Sequence, residues 1–248
     1  MTTVRLPLFP LNSVLFPGLV LPLSIFEQRY RALMLDLLAL PEDARRFGVV
    51  AIRDGREVAA SSPGLPDPTA LPERGAAAGF GSDPIKSFYS VGCVADAATI
   101  RENPEQAGGG YEVLATGTTR FRLLSVDASG PYLTGEVEEL EEDQGDGAGA
   151  LASGVVRTFR TYQQRLAGAR ERTLTTGQDL PAEPSVLSYL VAAAVVLDNP
   201  TRQRLLQAPD TATRLAEELK LLRRETAVIA QLPSLPAVDL TQRPTSPN

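Results

Sequence analysis

The sequence has no histidine, no tryptophan, one cysteine, two methionines and only two lysines in 248 residues. Each shortage removes a class of chemistry. Without histidine the commonest general base is missing, and with it Ser-His-Asp and Cys-His arrangements and histidine metal sites. The single Cys93 excludes an intramolecular disulfide and a multi-cysteine zinc site, which suits a reducing compartment. With no histidine to activate it, Cys93 reads as a small apolar strand residue. A Ser-Lys dyad would need Lys86, in a proline- and glycine-rich stretch, or Lys220, on a charged helix face. Neither setting lowers an amine pKa by burial. No glycine directly precedes a lysine, so no P-loop is encoded.

Long uninterrupted apolar runs are also scarce. Leu6 to Phe26 superficially resembles a secretory signal, but Pro7, Pro10, Pro17 and Pro22 break any continuous helix and no A-x-A site follows. Val186 to Leu197 falls short of the roughly 20 residues a spanning helix needs and reads as a buried helix. The net charge of −6 works against capture of nucleic acid or anionic membrane, since both require clustered positive charge. What is present is a globular balance, 43% hydrophobic and 22% charged residues, away from the disordered and membrane classes. The expectation is a folded, cytoplasmic protein with no membrane or nucleic-acid partner.

The first half reads as strands: Val4 to Leu11, a Pro17-Gly18 turn, then Leu19 to Leu23. Phe26, Tyr30, Leu33, Met34 and Leu37 recur at helical steps and predict a helix from about Ser24 to Leu38. Phe47 to Arg53 reads as a strand, with Asp54-Gly55 turning into a second strand near Glu57. Ser61 to Ser87 has the composition of a mobile loop, in which Phe80 or Phe88 is a lesser candidate for binding. Tyr89 to Ile100 is a strand. Tyr111 to Thr116 and Thr119 to Val126 read as a strand pair, with Phe121 and Leu123 on one face and Arg120 and Arg122 on the other. Tyr132 to Leu140 closes the strand-rich half.

Residues 144–150 read as a glycine-rich acidic linker, dividing a β-rich domain over 1–143 from a helical subdomain over 151–232. Helices are predicted over Leu151 to Leu166, Val186 to Leu197, Arg202 to Gln207, and after an Asp210 N-cap. The tail over 233–248, with its prolines, should be loose.

Two weak motifs carry no chemistry. Gly147, Gly149 and Ala152 fit a dinucleotide-binding spacing, but Glu141, Glu142, Asp143 and Asp146 would repel a pyrophosphate and no βαβ pattern surrounds them. Glu138, Glu139, Glu141, Glu142 and Asp143 match no calcium loop and read as a solvated charge run. No metal, cofactor or catalytic residue is expected.

The strings Leu6-Pro7-Leu8-Phe9-Pro10-Leu11, Phe16-Pro17-Gly18, Pro22-Leu23, Phe26-Glu27 and Arg29-Tyr30 resemble the start of the Lon protease N-terminal, substrate-binding domain. The likeness continues through Phe47-Gly48-Val49-Val50, Val91-Gly92-Cys93-Val94, Thr116-Gly117 and Arg120-Phe121, and into Arg214-Leu215, Leu221-Leu222 and Glu225. The resemblance implies an α+β fold, a β-rich PUA-like pseudobarrel with one helix followed by a helical subdomain. It also implies gripping of unfolded or exposed polypeptide segments, with a protease as a further candidate partner. In the full protease a P-loop ATPase and a Ser-Lys peptidase domain follow; this sequence runs to Asn248 with neither. The expectation is therefore a stand-alone, non-catalytic binding or adaptor module of protein quality control. The alternative is a PUA-like domain sensing a small ligand or RNA. Phe16, Leu19, Leu21 and Tyr30 are the candidate polypeptide contacts, since exposed apolar surface marks such interfaces. Core packing competes for each, and is the stronger reading for Leu21, Phe26 and Leu33.

Overall fold

β1 (Thr3–Leu11) and β3 (Arg46–Ala51) run parallel, and their sequences lack polar alternation because both faces are covered. Leu8 and Val50 enter one apolar cluster, while their neighbours Phe9 and Val49 enter another. The computed structural model describes residues 3–53, 75–80, 83–104, 109–169 and 180–231. Six strands and five α-helices lie among these residues. β2 (Val20–Ile25), β4 (Val91–Asn103), β5 (Gly110–Asp127) and β6 (Thr134–Glu139) complete one mixed sheet in the order β2-β5-β4-β3-β1-β6. An additional β5–β6 pairing closes five of the strands into a pseudobarrel and leaves β2 outside the closure.

The closure depends on β5, which pairs with β2 through Tyr111 to Thr116 and with β6 through Phe121 to Asp127. The expected pair of strands here is one continuous strand. Thr116-Gly117-Thr118 is no turn: Gly117 stays in β5 because a Cβ there would lie 2.5 Å from the Phe16 carbonyl oxygen. Only a glycine allows that approach. The Pro17-Gly18 turn does form, with Gly18 at φ 79°, a conformation that suits glycine.

α1 (Gln28–Leu38) lays Tyr30, Leu33, Met34 and Leu37 on the sheet, as the periodicity predicts. It starts later than Ser24, because Ser24 and Ile25 continue the β2 ladder against Glu112 and Tyr111. The stretch expected to be a mobile loop is partly core. Phe80 and Phe88 are buried and pack edge to face with centroids 4.8 Å apart. Arg29 donates to the carbonyls of Ala76 and Ala78 at 3.3 and 2.9 Å. The Asp54-Gly55 turn, the strand near Glu57, residues 61–74 and the tail from 233 lie outside the described residues.

The helical part comprises α2 (Ala148–Ala169), α3 (Pro184–Ala194), α4 (Asn199–Gln207) and α5 (Thr211–Gln231). α2 begins inside the stretch read as a linker. Asp198 and Asp210 cap α4 and α5 by accepting from Thr201 N at 2.9 Å and Thr213 N at 2.7 Å. Val155, Phe159, Leu187, Val191, Leu215 and Leu222 form the core between these helices. A further cluster joins Phe16 and Val91 of the strand-rich part to Tyr189, Leu205 and Leu206, so the two parts share buried apolar surface. No described helix is long and apolar enough to cross a membrane.

Candidate functional site

β2 exposes apolar side chains where a strand usually turns polar ones to water. Among the described residues it pairs with β5 alone. Gly117 N donates to Leu19 O at 2.8 Å. With Val20 opposite Thr116, antiparallel alternation then turns the backbone groups of Val20, Pro22 and Ser24 to the open edge. Pro22 has no N–H to offer there, which blunts the edge against continuous strand addition. The side chains on the outer face are less guarded. Val20 is 59% and Leu114 45% exposed, and Pro22, directly opposite Leu114, is exposed too. Val20 and Leu114 are diagonal neighbours, within reach of one bound side chain. Phe26, 45% exposed, continues the outward phase one step beyond β2.

The residues expected to make contacts sit on the other phase. Phe16 is 1% exposed and packs on Tyr189 with ring centroids 6.1 Å apart. Tyr30 stacks on Phe9 at 4.2 Å inside the sheet–α1 core. Neither is presented at the surface, because each supplies apolar area to a buried cluster. Leu19 and Leu21 are half-buried and lean on the same core. Phe26, read as core, is instead exposed. Val20 went unseen because Leu19 to Leu23 is apolar on both phases. Leu114 was legible: in Tyr111-Glu112-Val113-Leu114-Ala115-Thr116 it is the apolar residue on the polar phase.

Beyond Gly117, β2 and β6 part company along the same edge of β5, and a cleft of about 1160 Å³ opens between this fork and the start of α3. Its floor is a charge network of buried arginines around a half-exposed carboxylate. Arg120, 3% exposed, reaches from β5 to the α4 end, donating to Leu206 O at 3.0 Å and Ala208 O at 2.6 Å. Its other arm pairs with Glu142 at 3.1 Å. Glu142 also pairs with Arg214 of α5, and accepts from Tyr189 and from Thr211, the latter at 2.9 Å. The Arg214 guanidinium lies 3.9 Å from the Tyr189 ring centroid. Glu142 is therefore not a free solvated charge but a half-exposed carboxylate held by two arginines and two hydroxyls. Burial acts to raise its carboxyl pKa, but the Tyr189 hydroxyl, Arg214 and Arg120 outweigh it and hold the group below the ordinary carboxylate value.

Glu218 shows the opposite outcome beside the same arginine. Burial pushes it up to about 8, against Ser188 and Arg214, so it keeps its proton at neutral pH. Ser188 donates to it at 2.9 Å and in turn accepts from Arg214 Nε at 2.6 Å. Cys93 is buried, which pushes its thiol up to about 12, far from a nucleophilic thiolate. Lys86 and Lys220 are exposed and paired with Asp83 and Glu217. Of these groups, the Arg120–Glu142–Arg214 network alone spans the strand-rich part and the helices.

A family model described as the ATP-dependent protease La (LON) substrate-binding domain matches residues 5–224. The chain is 26% identical over 235 residues to the Lon protease of Anaeromyxobacter dehalogenans, covering 90% of this chain and 24% of that protein. It is 28% identical over 233 residues to Lon protease 2 of Syntrophobacter fumaroxidans, covering 89% and 26%. The chain thus spans about a quarter of the length of these curated relatives. Two solved structures share its fold. The Lon N-terminal domain protein from Xanthomonas campestris gives a TM-score of 0.54 at 21% identity, over 93% of this chain and 99% of that one. The N-terminal domain of Mycobacterium avium complex Lon protease gives 0.56 at 19%, over 90% and 98%.

Proposed function

The chain belongs to the family of the ATP-dependent protease La (LON) substrate-binding domain, and from that premise we propose that it is a non-catalytic polypeptide-binding or adaptor module of cytoplasmic protein quality control. Its clients are unfolded or exposed polypeptide segments, delivered to or shared with a protease. The division into a β-rich unit over 1–143 and a helical subdomain over 151–232 is part of this proposal. One unit presents the client surface and the other braces it.

The observation that carries the reading is the outer face formed by Val20, Pro22 and Leu114 beside a strand edge that no other described strand shares. Exposed apolar side chains grouped on one face are a feature of interaction surfaces. The expected contacts Leu19 and Leu21 support that face from below, and Phe16 and Tyr30 hold its foundations. The RNA-sensing alternative draws no support from the cleft, where four glutamates stand against two arginines and would repel a phosphate backbone.

The test is capture of a permanently unfolded model protein by native gel shift. Val20→Gln with Leu114→Gln should weaken capture at least about tenfold, the effect of about 1.4 kcal/mol, while changing stability by less than about 0.5 kcal/mol. Undiminished capture by a folded double variant rejects this surface.

A further inference from the structure

The cleft at the barrel fork lies apart from the β2 outer face, and its lining has a chemical bias. We propose that it receives an extended polypeptide segment carrying an arginine or lysine flanked by apolar side chains. The inference rests on the polypeptide-binding reading and adds a class of preferred sequence.

Charge bookkeeping within the cleft sets the preference. Both arginines of the lining are already held by carboxylates: Arg122 donates to Glu138 at 2.8 Å, and Arg120 shares Glu142 with the buried Arg214. Glu139 is taken by Arg46 at 3.2 Å. Glu141 is left, an exposed carboxylate at the cleft wall with no ion pair or hydrogen bond among the described residues. An incoming cation would neutralise it, and an incoming anion would meet a lining with four glutamates against two arginines.

One observation makes the occupant a peptide rather than a free cation. Val186, 48% exposed on the first turn of α3, faces the cleft with Pro17 and Leu140. A polyamine or metal ion would leave that apolar surface unused; a side chain next to the basic residue would cover it. The volume of about 1160 Å³ exceeds what one side chain fills.

The experiment uses the full chain and fluorescence anisotropy with three probes: a short peptide alternating arginine with valine and leucine, the same peptide with glutamate for arginine, and spermine as competitor. The basic peptide should bind, weaken with added salt, and weaken about fivefold or more in Glu141→Lys, the scale of one exposed ion pair. It should also weaken in Val186→Gln and be unaffected by Val20→Gln with Leu114→Gln. Equal binding of the acidic peptide, or indifference to Glu141→Lys, overturns the proposal. Displacement by spermine with no effect of Val186→Gln also overturns it, in favour of a simple polycation site. Unfolded-protein capture, measured on the same variants, separates the two readings. If capture depends on Val20 and Leu114 while Glu141→Lys changes nothing, the cleft proposal alone fails. If the basic peptide responds to Glu141→Lys while unfolded protein is never captured, the broader reading fails.

Discussion

Arg214, fully buried, has two carboxylic acids in its surroundings in opposite states. Glu142 is held ionised by donors, and Glu218 is kept protonated by burial. Their contributions to stability therefore run in opposite directions with pH. For Glu142, the folded pKa is depressed, so its contribution is present above the ordinary carboxylate pKa and is lost as pH falls through the folded value. For Glu218, the folded state keeps a proton that the unfolded state releases above about 4.5. Stability is therefore lost as pH rises from there to about 8, and the cost is constant beyond. Glu218→Gln should accordingly raise stability at pH 8 by a few kcal/mol, on the scale of about 1.4 kcal/mol per pKa unit, and give no gain at pH 4. Urea midpoints at the two pH values measure this; an equal effect at both would refute it. Glu142→Gln should cost about 1–3 kcal/mol at pH 7, because it leaves the buried Arg120 and Arg214 without their shared counter-charge. Arg120 and Arg214 were legible in the sequence as parts of a family pattern, but their partner was not. Glu138 to Asp143 reads as one uniform acidic run, and what singles out Glu142 is its partners Tyr189, Thr211 and Arg214 on helices distant in the chain.

At the scale of elements, periodicity placed α1, α3 and α5 well because each buries one stripe, and it failed where both faces of a strand are apolar or a glycine interrupts. β5 is the clearest instance. Gly117 looks like a turn residue, yet it serves a long strand that must pass under the Phe16 carbonyl. Gly117→Ala should destabilise by about 1–3 kcal/mol, the cost of overpacking a filled core, with a lowered thermal midpoint as the readout. The cap of α5 was legible from the acidic residue ahead of the apolar stripe. Asp210→Ala removes the acceptor of Thr213 N and should cost about 1 kcal/mol, seen as an earlier loss of helical ellipticity. Val20 shows the limit of pattern reading: without polar alternation in Leu19 to Leu23, only the register against β5 decides which leucines face inward.

For the whole molecule, the shared cluster around Phe16 and Tyr189 and the bridge from Arg120 through Glu142 to Arg214 tie the pseudobarrel to the helices. The two parts should unfold together, giving coincident urea transitions by helical ellipticity and by near-ultraviolet tyrosine signal. In Glu142→Gln the two signals should separate. Such bracing keeps the β2–β5 face and the fork in fixed relation, so a client segment meets a preformed surface and loses little affinity to reordering of the protein. The most direct measurement of that central claim is amide hydrogen exchange with and without a bound unfolded client. New protection is predicted over β2 and the Tyr111 to Thr116 half of β5, with the helical core unchanged. Protection that spares β2, or that appears only on the helices α2 and α5, would contradict it.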